Sequence, residues 1–176
     1  MTMRMTGSLL SAVLLAPLAG CSLLSSSGGP DYGKLESAIH DKLAEEYAGI
    51  GHEPSEVTCP RPKEAPKAGE VFVCTTQVDG NDDLTVHIEV TAGDDGHADF
   101  KTVDTVYDLP DAAEKLATQI SEDQDFPVTV DCGQGVKVVA AGNSFECTAT
   151  DPVGQQRTVK VTAGPVDKGD TWELLP

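Results

Sequence analysis

Apolar residues recur every four positions from Leu35 through Ile39 and Leu43 to Tyr47, while Lys34, Glu36, Asp41, Lys42 and Glu45 occupy the rest of the same surface. The spacing predicts an amphipathic helix between Asp31 and Gly49. A thinner stripe of Ala112, Leu116 and Ile120 follows the first-turn residues Pro110 and Asp111, stops before Pro127, and predicts a second helix. Strands are expected after each helix. Short β-rich runs lie at 56–59 and 128–132, and longer ones at 70–78 and 143–150 open just after a glycine. The clearest alternation sets Leu84, Val86, Ile88 and Val90 against Thr85, His87 and Glu89, the pattern of a half-buried antiparallel strand, and Val159, Val161 and Ala163 echo it. Last strands are expected over 98–106 and 171–175, after turns at Asp94-Asp95-Gly96 and Asp167-Lys168-Gly169. The fold class is α+β: two similar small domains in tandem, each an N-terminal helix packed on a small antiparallel β-sheet with one disulfide.

The tandem arrangement rests on a repeat. Sliding the chain against itself by 73 residues superimposes Cys59 on Cys132 and Cys74 on Cys147, and 16 of the 73 paired positions are identical without a gap. Among them are Lys42/Lys115, Leu43/Leu116, Phe72/Phe145 and Val86/Val159. Duplication explains matches that fall where a fold needs them. The expected organisation is a signal peptide over 1–20, a lipidated cysteine and flexible Ser/Gly tether over 21–30, and repeats over 31–103 and 104–176. Domains this small bury only about 60% of their unfolded surface and often rely on disulfides.

Cys21 stands outside the repeat. Residues 9–18 are largely apolar, too short for a membrane span of roughly 20 residues but matching a signal-peptide core of about 7 to 15. They end in Leu18-Ala19-Gly20-Cys21, which resembles the lipobox of bacterial lipoproteins and implies diacylglyceryl transfer to the Cys21 thiol and cleavage before it. Two or more acyl chains make such anchoring durable. The other four cysteines allow three pairings. Duplication selects one, because a unit that began as a single domain closed its own bridge: Cys59 with Cys74, and Cys132 with Cys147. An oxidising compartment and the lack of a Cys-x-x-Cys pair argue against metal ligation by these cysteines.

The run Val57-Thr58-Cys59-Pro60, then Ala68-Gly69-Glu70-Val71-Phe72-Val73-Cys74, then an alternating Thr/Val strand, resembles the domain-of-unknown-function family numbered 4333. The second copy is similar through Val130-Asp131-Cys132 and Ala141-Gly142-Asn143-Ser144-Phe145-Glu146-Cys147, with Gly133 where the pattern has proline. The resemblance implies an extracytoplasmic, disulfide-bonded domain of the kind found in secreted proteins and lipoproteins of actinobacteria. It brings no catalytic residues.

Candidate chemistry is sparse. His40, His52, His87 and His97 all fall in the first repeat, so a site built on them has no twin. The chain has no Gly-x-Ser-x-Gly elbow, Ser-x-x-Lys pair, His-Glu-x-x-His helix or phosphate-cradling glycine loop. Asp79-Gly80-Asn81-Asp82-Asp83 spaces oxygen ligands as a calcium loop does, but Leu84 replaces the turn glycine and Val90 the bidentate glutamate. A hairpin turn is the expectation there. No catalytic, cofactor-binding or metal-ligating residue is expected.

Net charge of −17 argues against nucleic acid as a partner and against electrostatic attachment to anionic headgroups. The expected protein is a lipoprotein on the outer face of the cell membrane, anchored through Cys21, and a non-catalytic binding module for an envelope protein, glycan or lipid. The alternative is an envelope hydrolase or small-ligand carrier with a site in the cleft between the two domains.

Overall fold

Helix α1 (Tyr32–Ala48) begins where Asp31 caps it, the carboxylate accepting the Lys34 amide at 3.3 Å. The computed structural model describes residues 31–94, 97–165 and 168–175 together with a two-residue strand, β1 (Gly7–Ser8). Cys21, the tether and most of the expected signal peptide lie outside the described residues, as do Asp95, Gly96 and Asp167 of the two expected turns. The chain divides into two compact units between Asp104 and Thr105.

In the N-terminal unit, Leu35, Ile39, Leu43 and Tyr47 are the buried residues of α1, as the four-residue spacing requires. The sheet runs β2 (Val71–Val78), β3 (Asn81–Ala92) and β4 (Ala98–Thr102), antiparallel and in that order. Cys74, Thr76 and Val78 on β2 and Val86, Ile88, Val90 and Ala92 on β3 face inward, where they meet the helix stripe in one small core. The expected strand over 56–59 reduces to one isolated bridge, Thr58 to Thr75, with a second, Pro54 to Val78, just ahead of it. Pro60 and Pro62 follow, and a proline has no N–H for a ladder.

The single strand expected over 98–106 is broken at Val103. Val103 donates to the His87 carbonyl at 3.0 Å, but the His87 amide bonds the Asp104 carboxylate at 2.7 Å instead of a backbone carbonyl. A side chain has taken the place of the next ladder rung. Beyond it, β5 (Asp104–Asp108) pairs in a separate two-stranded sheet with β7 (Val136–Ala140), a strand the alternation had not exposed.

The C-terminal unit continues with α2 (Leu109–Gln124), capped by Asp108 and closed at Asp125 in the left-handed region, φ 59°. Its buried residues are Leu109, Ala113, Leu116 and Ile120, so Ala113 and not Ala112 faces the core. A helix of 3.6 residues per turn alternates steps of four and three, and a strict four-residue step drifts off the face. Strands β6 (Thr129–Asp131), β8 (Ser144–Thr150), β9 (Gln156–Thr162) and β10 (Thr171–Leu174) form an antiparallel sheet in the order β1-β10-β9-β8-β6. Leu116 and Ile120 pack in one cluster with Phe145, Val159, Val161 and Trp172.

The two hairpins differ in length. Cys74 faces Ile88 across its hairpin, whereas Cys147 faces Val159, so the 73-residue offset of the first strands falls to 71 across the second. Residues 78–84 turn the first hairpin: Asp79 and Gly80 take positive φ (53° and 69°) between Val78 and Asn81, and the register shifts after Gln77. Residues 151–155 turn the other, with the Asp151 carboxylate accepting the amides of Val153 and Gln155. The identities Thr85/Thr158 and Val86/Val159 therefore sit two residues out of structural register. A two-residue slip keeps every side chain on its own face, which is why the alternation concealed it.

Candidate functional site

The cysteines set the frame. Cys59 is bonded to Cys74 and Cys132 to Cys147, each pair separated by 15 residues with Cα atoms 4.2 Å apart. The first bridge, buried at both ends, fastens the segment ahead of β2 to the middle of that strand. Disulfides of this kind persist in oxidising compartments and suggest an extracytoplasmic protein. Among the described residues no helix is long and apolar enough to cross a membrane.

Beside the first bridge, Glu36 on α1 collects three donors. The Arg61 guanidinium meets both its oxygens at 3.0 and 2.9 Å, and the Cys59 amide reaches one of them at 2.9 Å. Burial pushes the Glu36 carboxyl up, but Arg61 and the Cys59 N–H outweigh it and hold the carboxyl below the usual glutamate range. Arg61 also lies over the Tyr32 ring, 5.0 Å from its centroid, and Tyr32 leans on Phe72 of β2 with ring centroids 6.1 Å apart. This constellation clamps the disulfide segment to the helix, and a proline-rich sequence around Arg61 gave no sign of it.

The histidines occupy unlike places. His40 lies 3.6 Å from Asp41 on the exposed side of α1. His52 meets Asp79 at 2.6 Å, and Asp79 also accepts the Glu53 amide. The Glu53 N–H first, and His52 second, hold the Asp79 carboxyl below its ordinary range. Asp79 thus ties the hairpin turn to the loop after α1. Of the other oxygens in the calcium-like run, Asn81 Oδ1 accepts the Asp83 amide and Asp82 Oδ1 accepts from the Gln77 amide group. Each caps its own turn, and among the described residues no group of three or more His, Cys, Asp or Glu converges as a metal would need.

His87 is different, because its partner is buried. Its Nδ1 lies 2.7 Å from Asp104 Oδ2, with 49% of the His87 side chain exposed and 6% of the Asp104 side chain. One carboxylate therefore holds both the backbone amide and the ring of His87, and leaves the far edge of the imidazole on the open face of the sheet. Sequence reasoning missed the pair. His87 was legible as an outward residue of β3, but Asp104 lies 17 residues away beyond a second turn.

The open face of the N-terminal sheet is the candidate site. Opposite the helix it presents Val71, Val73 and Thr75 on β2 and His87 and Glu89 on β3, with Glu89 held by Lys101 of β4 at 2.9 Å. Val71 and Val73 are 55% and 46% exposed. The matching positions ahead of Cys147 are Ser144 and Glu146, so the C-terminal unit is polar where the N-terminal unit is apolar.

Residues 16–96 match the family described as a domain of unknown function (DUF4333). The DUF4333 segment contains α1, the Cys59–Cys74 bridge, β2 and β3, and with them Val71, Val73 and His87. It ends short of β4. Comparison with curated proteins and with solved structures finds no match for the chain.

Proposed function

We propose that the protein is an extracytoplasmic lipoprotein, held at the outer face of the cell membrane by lipid on Cys21, and that it works as a non-catalytic binding module of the cell envelope. The observation that carries the binding reading is the solvent-exposed pair Val71 and Val73 on the open face of the N-terminal sheet. A two-layer domain covers one face of its sheet with the helix, and apolar side chains on the other face gain from a partner that covers them. The two disulfides support the compartment.

We also read the two units as products of a duplication. Each has an aspartate-capped helix, one disulfide across 15 residues and an antiparallel hairpin that begins at the bridged strand. On this reading the features held in common are scaffold, and the function lies where the units differ. The exposed valines differ. In intact cells, Cys21→Ser is expected to move the protein from the membrane to the soluble fraction, and crosslinking of the unaltered protein to recover a discrete envelope partner. Retention of Cys21→Ser in the membrane overturns the anchor, and the lack of any crosslinked partner overturns the binding role.

A further inference from the structure

We infer that the N-terminal half of β2 is a strand-addition site, which takes an extended, positively charged segment of a partner protein as a further antiparallel strand. This deepens the binding role proposed above and rests on it. Alternate residues of a strand aim their N–H and C=O groups to opposite sides. Glu70 accepts from Ala92 on the β3 side, so residues 70, 72, 74 and 76 serve the hairpin. Thr75 exchanges two bonds with Thr58, at 2.8 and 2.9 Å, and Gln77 accepts from Ser55 at 2.7 Å, so the odd-numbered residues serve the other edge. Val71 and Val73 belong to that second set.

The register explains why this edge stays open. With Thr58 opposite Thr75, the residues that would face Val73 and Val71 are Pro60 and Pro62. Neither has an N–H to give, and the ladder stops. Among the described residues, two outward rungs are left beyond the last internal bridge, beside side chains that are β-branched and exposed. Proteins ordinarily blunt such an edge with charge, as Glu146 does at the matching position of β8. Val71 and Val73 do the reverse, and an added strand gains main-chain bonds along the rungs and apolar contacts with the valines.

Charge selects the occupant. Around the edge, Arg61 is paired with Glu36, and Lys63 and Lys67 stand against Glu64 and Glu70, so the neighbourhood carries little net charge and the −17 of the chain sets the sign. A second copy is repelled by that charge, whereas a basic segment is steered toward it.

The test uses the full chain in detergent and a synthetic peptide, Lys-Val-Thr-Val-Thr-Val-Lys, with a twin carrying Glu for Lys. Hydrogen exchange is expected to show the Val71 and Val73 amides protected by the basic peptide. Val73→Pro removes one outward N–H but none of the β2–β3 bonds, and is expected to weaken binding about tenfold. Protection of neither amide, or full binding by Val73→Pro with the hairpin amides intact, overturns the site. Equal binding of the acidic twin overturns the charge assignment, and a concentration-dependent dimer abolished by Val73→Lys makes a second copy the occupant and overturns the partner. The peptide result is independent of the anchor: a crosslinked partner without peptide protection leaves the binding role standing and removes the edge.

Discussion

At the residue scale, Glu36 does the work of several contacts. Its carboxylate serves a guanidinium on a loop and the amide of a disulfide cysteine, so truncating it strands the Cys59 N–H in a buried place at a cost of about 1–3 kcal/mol. The pH dependence follows from the direction of its shift. Folding holds the Glu36 carboxyl below its unfolded value, so its contribution is complete above the ordinary glutamate range, about 4.3, and is lost as the pH falls through the folded value. Asp79 adds to the same acid limb. Chemical denaturation across acid pH is therefore expected to show a shallower decline below about pH 4.5 for Glu36→Gln than for the parent. A decline of unchanged slope means that the Arg61 clamp contributes nothing to folding. None of this was legible beforehand: Glu36 and Arg61 are 25 residues apart and carry the ordinary look of surface charges. The same holds for His87 and Asp104, a pair made by a strand that stops one residue short of its rung.

At the scale of elements, periodicity located most of what is present. The α1 face, the β3 alternation and the long strands β2 and β8 stand where the local pattern put them, because a repeat of about four or two is a property of one segment's own geometry. Errors came where an element depends on a neighbour. The run at 56–59 has strand composition, yet the prolines that follow let it form only one bridge, Thr58 to Thr75. Strand β7 carries Val136, Val138 and Val139, but its partner β5 reads from the sequence as the end of the preceding strand, so nothing local marks the pairing. The bridges themselves are testable. In the chain-entropy account a loop of 15 residues contributes about 3 kcal/mol, so the double variant Cys59→Ala, Cys74→Ala is expected to lower the unfolding free energy by about that much. Calorimetry of this variant beside Cys132→Ala, Cys147→Ala reads each unit's reliance on its own bridge, and an unchanged transition in either removes that bridge from the stability account.

At the scale of the whole molecule, charge is the dominant fact. A chain of 176 residues with a net charge of −17 repels itself in its compact state. Among the described residues the direct ion pairs are mostly exposed ones such as Lys42 with Glu45 and Lys115 with Asp111, each of which contributes little. Raising sodium chloride from low ionic strength to about 0.15 M, where the Debye length is about 8 Å, is therefore expected to raise the melting temperature at neutral pH. A fall would show that attractive pairs outweigh the general repulsion. The same screening weakens the recruitment of a basic segment to β2, so that association is expected to decline in the solutions that stabilise the fold.

The sequence by itself determined the class of the fold, the inward face of α1 and of β3, and cysteines so placed that each unit closes its own bridge. These depend on intervals of a few residues, or on a covalent link between positions already in register, and need no knowledge of where the chain turns back. Tertiary structure alone decided the two-residue difference between the hairpins, the carboxylates that hold Arg61 and His87, and the open rungs at Val71 and Val73. Each of these is set by which residue arrives opposite which after a turn. A single added pair of residues in a loop moves that meeting point without disturbing any local pattern.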